Sequence, residues 1–515
     1  MTPINEAICI EWHGKTALLI SDWPPVNALS HTIREGLVKG MEQILRDAPE
    51  AIVLACRGQT FFAGADISEF GKPFRAPLLD DVQRAFEGSP APVIAAIHGT
   101  ALGGGLEIAL ACHYRVAVAA AKVGLPEVNL GLLPGAGGTQ RAPRLCGVKA
   151  SLDLIAGGKP LSAKQAESIG LVDRIVDGDD PISGAIAFAA EVVGRGEPHR
   201  LTRDRSVDLT VGEARQAAEA WRAANPAQFV GYKAPANILE AVVAAAELPF
   251  DQGLAREADL FAELMAGDEA AAQRYAFFAE RACAKIPGLG RDVQARPITS
   301  VGVVGAGTMG SGIAISLLQA GFAVTLIDQS SDAIQRAGSH IAATLRRLVE
   351  RGRADAATVE RQLAGLQTAT NMAALSQVDL IIEAVFEDIR LKQAVFAQLD
   401  VVARPGAILA TNTSFLDVDA IAAVTARPDA VVGLHFFAPA NIMRLLEVVR
   451  AAKTAPDVLA TAMWLGRKLG KLAVVSGVCD GFIANRLMAR RTVAADRLIL
   501  RGATPEQVDR VMVEY

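Results

Sequence analysis

Two glutamates and a run of three glycines in the N-terminal part of the chain could together add water to a double bond. The glycines, residues 103–105, come just before Glu107 in an apolar stretch that predicts a helix, and Glu127 follows in a predicted loop. Glycines before a helix leave its first N–H groups free to stabilise an oxyanion. Of two partly buried glutamates, one can deprotonate a water molecule while the other gives a proton to carbon.

A third segment upstream could supply another free backbone N–H group. Segment 59–70 (QTFFAGADISEF) places Ala65 directly after Gly64. Taken singly, each of the three segments has an ordinary interpretation, because a glycine run is often only a turn and a glutamate near a helix start is often a cap. Their order along the chain favours a site instead.

These three segments resemble the crotonase family, and its enoyl-CoA hydratases in particular. The matching motifs are FAGAD, GTALGGGLE and GLPEVNLGLLPGAGGTQR, and the resemblance covers about residues 5–180. It implies that the N–H groups of Ala65 and Gly104 bind the thioester oxygen of an enoyl-coenzyme A substrate. It further implies that Glu107 activates water and that Glu127 protonates Cα. Members of this family often also shift a 3-enoyl double bond to the 2-enoyl position, so isomerase activity is a further expectation.

A second set of residues has the pattern of a dinucleotide-binding turn. A predicted strand from Val301 leads into a glycine-rich turn, a helix and a second strand that ends at Asp328. The glycines allow a pyrophosphate to approach the helix start, and the aspartate can bind a ribose 2′-hydroxyl. A carboxylate there repels a 2′-phosphate, so NAD is favoured over NADP, with a nucleotide-free α/β domain as the alternative. The predicted cofactor-binding residues of the turn are Gly305, Gly307, Thr308, Met309 and Gly310.

An acid–base pair is predicted further along the second half. His435 ends an apolar strand, where open α/β sheets place their chemistry, and Glu447 lies within the apolar run LLEVV. A buried acid needs a partner, and a carboxylate orients an imidazole and raises its basicity for taking an alcohol proton. The alternative is an ordinary core histidine.

The residues around this pair resemble the L-3-hydroxyacyl-CoA dehydrogenases. The matching motifs are GVVGAGTMG, IIEAVFEDIRLK, ATNTSFL, GLHFFAP with LLEVV, and DGFIANR, over about residues 298–515. The resemblance implies that His435 is the base and Glu447 its partner. It also implies that Ser414 and Asn485 bind the substrate oxygen and thioester region, and that Glu387 lies by the nicotinamide ribose.

The elements that must position these residues indicate an α/β multidomain chain. Strands are predicted within 8–20 and at 51–56, with a helix at 30–47 between them, and the Pro- and Gly-containing segment 287–300 reads as a linker. We predict four domains: a crotonase (spiral ββα) domain, a helical linker, a Rossmann-like NAD-binding domain and the beginning of an all-α C-terminal domain. Their predicted ranges are 1–185, 186–295, 296–478 and 479–515.

Composition narrows the class of protein. The net charge of −5 and the absence of a basic block argue against a nucleic-acid surface. The six cysteines form no CxxC pair and the N-terminus has no secretory pattern, so we expect a reducing, cytoplasmic location. Residues 297–327 carry no charge, yet their glycines favour a buried βαβ unit over a membrane span. His98 and His113 lack a third ligand at suitable spacing, so no metal site is predicted.

The order of the two modules resembles the multifunctional α-subunits of fatty-acid oxidation. This resemblance implies hydration of a trans-2-enoyl-CoA followed by NAD-dependent oxidation to the 3-ketoacyl-CoA. It also implies acyl-CoA substrates and either a homo-oligomer or a thiolase partner subunit. The dehydrogenase family continues well beyond DGFIANR, so one alternative is a working hydratase joined to an incomplete, NAD-binding dehydrogenase. The other is a protein that binds acyl-CoA or NAD without catalysis.

Overall fold

The computed structural model describes residues 1–66, 69, 75–196, 199, 201–286, 288–290 and 292–514. Parts of the predicted segments 59–70 and 287–300, and the last residue of the predicted fourth domain, lie outside the described residues. The chain divides into two units, Met1–Phe277 and Phe278–Tyr515. The four predicted domain ranges stay predictions.

The strands of the first unit form two sheets. They are β1 (Thr2–Pro3), β2 (Ile8–His13), β3 (Thr16–Ser21), β4 (Ala51–Cys56), β5 (Val93–Ile97), β6 (Thr100–Leu102), β7 (Tyr114–Val118), β8 (Lys122–Gly124), β9 (Leu161–Ser162) and β10 (Arg174–Val176). The larger sheet has the order β1-β2-β3-β4-β5-β7-β10 and the smaller one β6-β8-β9. From β3 onward the larger sheet is parallel, and β4 and β5 are entirely buried, as their unbroken apolar runs require.

Helices cover these sheets and fill the rest of the first unit. They are α1 (His31–Arg46), α2 (Leu79–Glu87), α3 (Gly104–Ala111), α4 (Gly138–Ile155), α5 (Ala163–Ser168), α6 (Ile182–Arg195), α7 (Val211–Ala224), α8 (Ala234–Glu247), α9 (Phe250–Ala266) and α10 (Asp268–Cys283), the last of which contains the unit boundary. Short 3₁₀ turns span Glu127–Leu130, Thr202–Asp204 and Pro226–Phe229. The predicted strands within 8–20 and at 51–56, and the predicted helix at 30–47, are confirmed. The apolar stripe of α1, which includes Ile33, Leu37 and Ile44, faces the core.

The second unit is built on one eight-stranded sheet. Its strands are β11 (Ser300–Val304), β12 (Ala323–Ile327), β13 (Leu366–Ala369), β14 (Leu380–Glu383), β15 (Ile408–Thr411), β16 (Val431–Phe436), β17 (Leu445–Arg450) and β18 (Leu472–Gly477). The order is β13-β12-β11-β14-β15-β16-β17-β18, and every pair is parallel except β16 with β17. The order of the first six strands is that of doubly wound dinucleotide-binding sheets, whose switch point falls beside β11.

The helices of the second unit complete this α/β architecture. They are α11 (Thr308–Gln319), α12 (Ser331–Glu350), α13 (Ala356–Ala364), α14 (Ile389–Val402), α15 (Val418–Ala422), α16 (Pro456–Lys468), α17 (Ala484–Leu500) and α18 (Pro505–Glu514), with 3₁₀ turns at Met372–Leu375 and Pro428–Ala430. The uncharged stretch 297–327 forms β11, α11 and β12, the predicted buried βαβ unit. Within the described ranges, we find no helix with both the length and the apolar character needed to cross a membrane.

A buried arginine fixes the end of α3, the helix that carries Glu107. The side chain of Arg115 on β7 is fully buried. Its guanidinium donates hydrogen bonds to the carbonyl oxygens of Cys112 (2.9 Å) and Leu171 (3.0 Å), and it pairs with Asp173 at 3.0 Å. A cation at a helix C-terminus satisfies carbonyl groups that have no partner within the helix.

We expect Arg115→Leu to lower the free energy of unfolding by about 3 kcal/mol, because it leaves these carbonyl groups buried without donors. Urea titration followed by circular dichroism measures the change. Arg57→Leu is the matched control, since the Arg57–Glu11 pair is exposed and contributes less than about 1 kcal/mol. Equal losses in the two variants would contradict the role given to Arg115.

Candidate active sites

The first site is built around Glu107 on the first turns of α3. Its side chain is 3% exposed. Oε1 accepts hydrogen bonds from the N–H groups of Ala136 (2.8 Å) and Gly138 (2.9 Å), just before and at the start of α4. Burial raises the pKa of Glu107, while the two N–H groups act in the opposite direction. The carboxylate is therefore held at Oε1, and its second oxygen is available to accept a proton.

Glu127 differs from Glu107 in its hydrogen bonding. The sequence predicted a loop here, but the structure has a 3₁₀ turn, Glu127–Leu130, which ends at Gly131 in the left-handed conformation (φ 69°). Within the described part of the chain, Oε2 of Glu127 is buried and has no hydrogen-bond partner. Burial, together with the negative charge of Glu107, raises the pKa of Glu127 well above its usual value. This carboxyl group is therefore suited to hold a proton.

The predicted oxyanion amides lie next to each other. A Cβ atom added to Gly104 would lie 3.4 Å from the backbone nitrogen of Ala65. Leu29, whose N–H donates to the carbonyl of Gly64 at 2.9 Å, holds this segment in place. Among the described residues, neither the Ala65 nor the Gly104 N–H has an acceptor. At Gly103 the φ of 52° favours glycine, and a side chain there would also contact Oε1 of Glu127 at 2.9 Å.

A third buried carboxylate lies beside this pair, and the sequence reasoning missed it. Glu257 on α9 is 2% exposed. Burial, with the charge of Glu107, raises the pKa of Glu257, while hydrogen bonds from Gly137 and Thr139 act in the opposite direction. The sequence predicts only a helical linker over residues 186–295, which contain Glu257. Its position could have identified it as a buried acid, because Glu257 falls on the apolar stripe of α9 formed by Phe250, Leu260 and Leu264.

The two histidines near the glycine run have structural contacts. His113 is buried, its Nδ1 accepts the N–H of Val93 at 3.0 Å, and burial lowers the pKa of His113 to about 4. His98 contacts the carbonyl oxygen of Gly58 through Nε2 at 3.2 Å. A search of the described residues found no group of His, Cys, Asp and Glu side chains placed to hold a metal ion.

The glycine-rich turn of the second unit joins β11 to α11. Gly305 has a φ of 104°, and a Cβ atom at Gly310 would lie 1.8 Å from the carbonyl oxygen of Gly305, so neither position admits a side chain. A Cβ atom at Gly307 would meet no atom within 4 Å, which leaves room for a pyrophosphate at the start of α11. Thr308 and Met309 form the first turn of α11 and are exposed and half-buried, respectively.

Asp328 follows β12 at the same edge of the sheet. Oδ2 accepts the N–H of Ala306 and Oδ1 accepts the N–H of Ser330, both at 2.9 Å. These bonds fix the carboxylate beside the turn, where a ribose hydroxyl of the cofactor would reach it. The turn, the helix start and the fixed acid together fit NAD.

The predicted acid–base pair lies across two neighbouring strands. β16 and β17 are antiparallel, and their register places His435 opposite Glu447. His435 Nδ1 lies 2.7 Å from Glu447 Oε2. Glu447 Oε1 accepts the N–H groups of Ile483 (3.1 Å) and Ala484 (2.7 Å), at the start of α17. Burial acts to raise the pKa of Glu447, but these hydrogen bonds outweigh it and the pKa is lowered. Glu447 is therefore an anion that orients the imidazole.

Ser414, Glu387 and Asn485 are the remaining predicted residues of the second site. Ser414 Oγ is 3.2 Å from His435 Nε2. Glu387 Oε1 accepts the Ser414 N–H at 2.7 Å and the Thr413 hydroxyl at 2.6 Å, so Glu387 shapes the loop that carries the serine. Asn485 follows Ala484 in the first turn of α17 and is half-buried. The structure thus brings the serine, the histidine and the start of α17 together.

Comparison with protein families gives two matches that together cover both units. The family described as enoyl-CoA hydratase/isomerase matches residues 17–219. The family described as 3-hydroxyacyl-CoA dehydrogenase, NAD binding domain, matches residues 300–479.

Relatives match both halves at once. The peroxisomal bifunctional enzyme of Cavia porcellus is 40% identical over 510 residues, covering 96% of this chain and 68% of that protein. The peroxisomal fatty acid beta-oxidation multifunctional protein of Oryza sativa subsp. japonica is 37% identical, over 96% of this chain and 69% of that protein. A solved structure, 3-hydroxybutyryl-CoA dehydrogenase from Escherichia coli K12, is 42% identical over 41% of this chain and 45% of that chain, with a TM-score of 0.40.

The chain belongs to the family of the peroxisomal bifunctional enzymes and multifunctional proteins of fatty-acid β-oxidation. It is an enoyl-CoA hydratase joined to an NAD-dependent 3-hydroxyacyl-CoA dehydrogenase, as the sequence predicted. The match to relatives across both units favours this bifunctional interpretation over a hydratase alone.

The predicted cytoplasmic location is contradicted by these comparisons. The relatives are named peroxisomal or glyoxysomal proteins. The prediction rested largely on cysteines, and all six are free thiols in the structure. Free thiols indicate a redox state rather than a particular compartment, and this is why the inference failed.

We expect Asp328→Ala to weaken NAD binding about tenfold, because the ribose loses a charged hydrogen-bond acceptor. Discrimination against NADP should fall as well, since the variant no longer repels a 2′-phosphate. Calorimetry with each dinucleotide measures both effects, and Asp332→Ala, an exposed acid on α12, is the control. Unchanged NAD affinity, or an equal loss for both dinucleotides, would contradict the assignment of Asp328.

Proposed function

We propose that the two sites perform consecutive steps through the residues described above. The first site adds water to a trans-2-enoyl-CoA and forms the L-3-hydroxyacyl-CoA. The second site oxidises that product to the 3-ketoacyl-CoA. The observation that supports this most directly is the pair formed by the buried Glu107 and the half-buried Glu127, whose Oε2 is buried without a partner, beside two backbone N–H groups that have no acceptor among the described residues.

In the first step, the N–H groups of Ala65 and Gly104 bind the thioester oxygen and stabilise the charge that develops on it. Glu107, held at Oε1 by two N–H groups, takes a proton from water with its other oxygen. The water oxygen bonds to C3, and Glu127 gives its proton to C2. One water is consumed, the two glutamates exchange protonation states, and solvent restores them.

In the second step, NAD held by the glycine-rich turn and Asp328 would supply the acceptor for the hydride of C3. His435 takes the hydroxyl proton at Nε2, while Glu447 holds Nδ1 and stabilises the imidazolium. Ser414, which is 3.2 Å from Nε2, is placed to hold the substrate oxygen in line with the histidine. Asn485, in the first turn of α17, would bind the thioester region of the substrate, and Glu387 would lie by the nicotinamide ribose.

The same glutamates support an isomerase reaction. When Glu127 is ionised it can remove a proton from C2, and Glu107, when protonated, can give its own proton to C4. This moves a 3-enoyl double bond to the 2-enoyl position with no net change in atoms. The family description, which includes isomerases, supports this extension.

Association with a further subunit is also part of the proposal. None of the residues of α17 is buried, and Leu487 and Leu500 are 67% and 86% exposed. Exposed apolar side chains on one helix favour an interface. The partner would be a second copy of the chain or a thiolase subunit. Light scattering of the purified chain measures its mass in solution. A multiple of the monomer mass supports a homo-oligomer, and the monomer mass supports a thiolase partner.

Crotonyl-CoA and NAD as the only substrates test the two-step function. We expect absorbance at 340 nm to grow, because the first site makes the substrate of the second. Glu127→Gln should reduce this signal at least a hundredfold and leave the oxidation of added L-3-hydroxybutyryl-CoA intact. His435→Gln should do the reverse and stop NADH formation while crotonyl-CoA is still hydrated. Wild-type rates in either variant would refute the assignment of that site.

The pH dependence of hydration follows from the two glutamates. A raised pKa keeps Glu127 protonated to higher pH than an ordinary carboxyl, so on the alkaline side hydration should fall when Glu127 loses the proton that C2 must receive. On the acid side, hydration should fall as Glu107 gains a proton and no longer accepts one from water. The measurement is kcat/KM for crotonyl-CoA between pH 5 and 10. A flat profile across that range would contradict the acid–base assignment.

A further inference from the structure

Helix α9 lies directly against the loop that binds Glu107. A Cβ atom at Gly135 would lie 2.7 Å from the ring of Phe261, and one at Gly253 would lie 2.2 Å from Oε1 of Gln140. The first residue of the helix, Phe250, is also held in place, since the guanidinium groups of Arg141, Arg144 and Arg203 lie 5.0–5.1 Å from its ring centre. The helix is therefore packed against the site rather than merely connecting two parts of the chain.

Four successive backbone N–H groups at the start of α4 alternate between two carboxylates. Those of Ala136 and Gly138 donate to Glu107. Those of Gly137 (2.5 Å) and Thr139 (3.0 Å) donate to Glu257. The two carboxylates thus hold the same loop. A shift of the N–H groups bound to Glu257 would also displace the N–H groups of Ala136 and Gly138, which bind Glu107.

A side-chain network reinforces the contact with Glu257. The hydroxyl of Thr139 hydrogen-bonds Oε2 of Glu257. Gln140 Nε2 donates to that hydroxyl at 3.0 Å and to the carbonyl oxygen of Ala241 on α8 at 2.9 Å. A buried acid with three donors has no freedom to reorient, so Glu257 acts as a fixed anchor.

We propose that Glu257 is a positioning residue for hydration, which holds the start of α4 so that the N–H groups of Ala136 and Gly138 aim the Glu107 carboxylate at the attacking water. This inference rests on the proposed role of Glu107. Glu257 lies outside residues 17–219, so the hydratase site depends on a helix beyond the segment that matches the hydratase family. Displacements of about 1 Å at a catalytic group can cost a hundredfold in rate.

The test is steady-state hydration of crotonyl-CoA by Glu257→Gln in the full chain. The amide retains one acceptor oxygen but turns an NH₂ group towards the Thr139 N–H, so the loop must shift. We expect kcat to fall about 10- to 100-fold. KM should change by less than about threefold, because the thioester-binding N–H groups of Ala65 and Gly104 lie outside this loop. Glu263→Gln, an exposed acid on the same helix, is the matched control and should leave both values unchanged.

A second pair of variants keeps the test decisive if Glu257→Gln does not fold. Thr139→Val removes the hydroxyl that contacts Glu257 and should lower kcat several-fold, while Thr139→Ser should restore it to within about twofold. Oxidation of added L-3-hydroxybutyryl-CoA by the same chain reports that the second unit is intact and should not change.

Several outcomes would overturn the inference. One is wild-type kcat in Glu257→Gln. Another, if Glu257→Gln does not fold, is wild-type kcat in Thr139→Val. A rise in KM with unchanged kcat would also overturn it, because that pattern indicates lost substrate binding. Glu107→Gln separates this inference from the proposed function. If Glu107→Gln hydrates normally, the proposed function fails, and if it is inactive while Glu257→Gln is normal, only the role of Glu257 fails.

Discussion

Both sites depend on a carboxylate that is removed from water and bound by two backbone N–H groups at the start of a helix. Glu107 receives those of Ala136 and Gly138 at α4, and Glu447 receives those of Ile483 and Ala484 at α17. An isolated buried carboxylate is costly, and the free N–H groups and dipole of a helix start offset that cost. The same arrangement fixes one oxygen and so decides where the other points.

Other elements of each unit position these two carboxylates. In the first unit, α3 has to end against the buried Arg115 so that Glu107 faces the start of α4. In the second unit, the single antiparallel pair of the sheet brings Glu447 opposite His435, and its other oxygen reaches α17. The orientation of the His435 imidazole and the position of the start of α17 therefore depend on one side chain, which links His435 to the segment that carries Asn485.

The two carboxylates serve different chemistry because their partners differ. Glu447 pairs with a histidine and stays an anion, which suits it to stabilise an imidazolium. Glu107 and Glu127 face each other's charge in a buried space, and burial raises the pKa of both. Two like groups whose hydrogen bonding differs can divide the roles of base and acid, which hydration requires. The product of this acid–base chemistry is the alcohol that the second unit oxidises.

The amino-acid sequence was sufficient to predict the α/β class, the strands within 8–20 and at 51–56 and the two families, and it supplied the residues proposed for both sites. These features depend on short-range periodicity and on motifs in which a few glycines set the backbone conformation. The hydrogen bonds of Glu257, which lies 120 residues from Gly137, emerge only in the folded chain, because no local sequence pattern indicates which distant N–H groups a buried acid will contact. The tertiary structure also decided that Glu127 begins a 3₁₀ turn and that Glu447 binds the start of α17, since both follow from how packed elements close on one another.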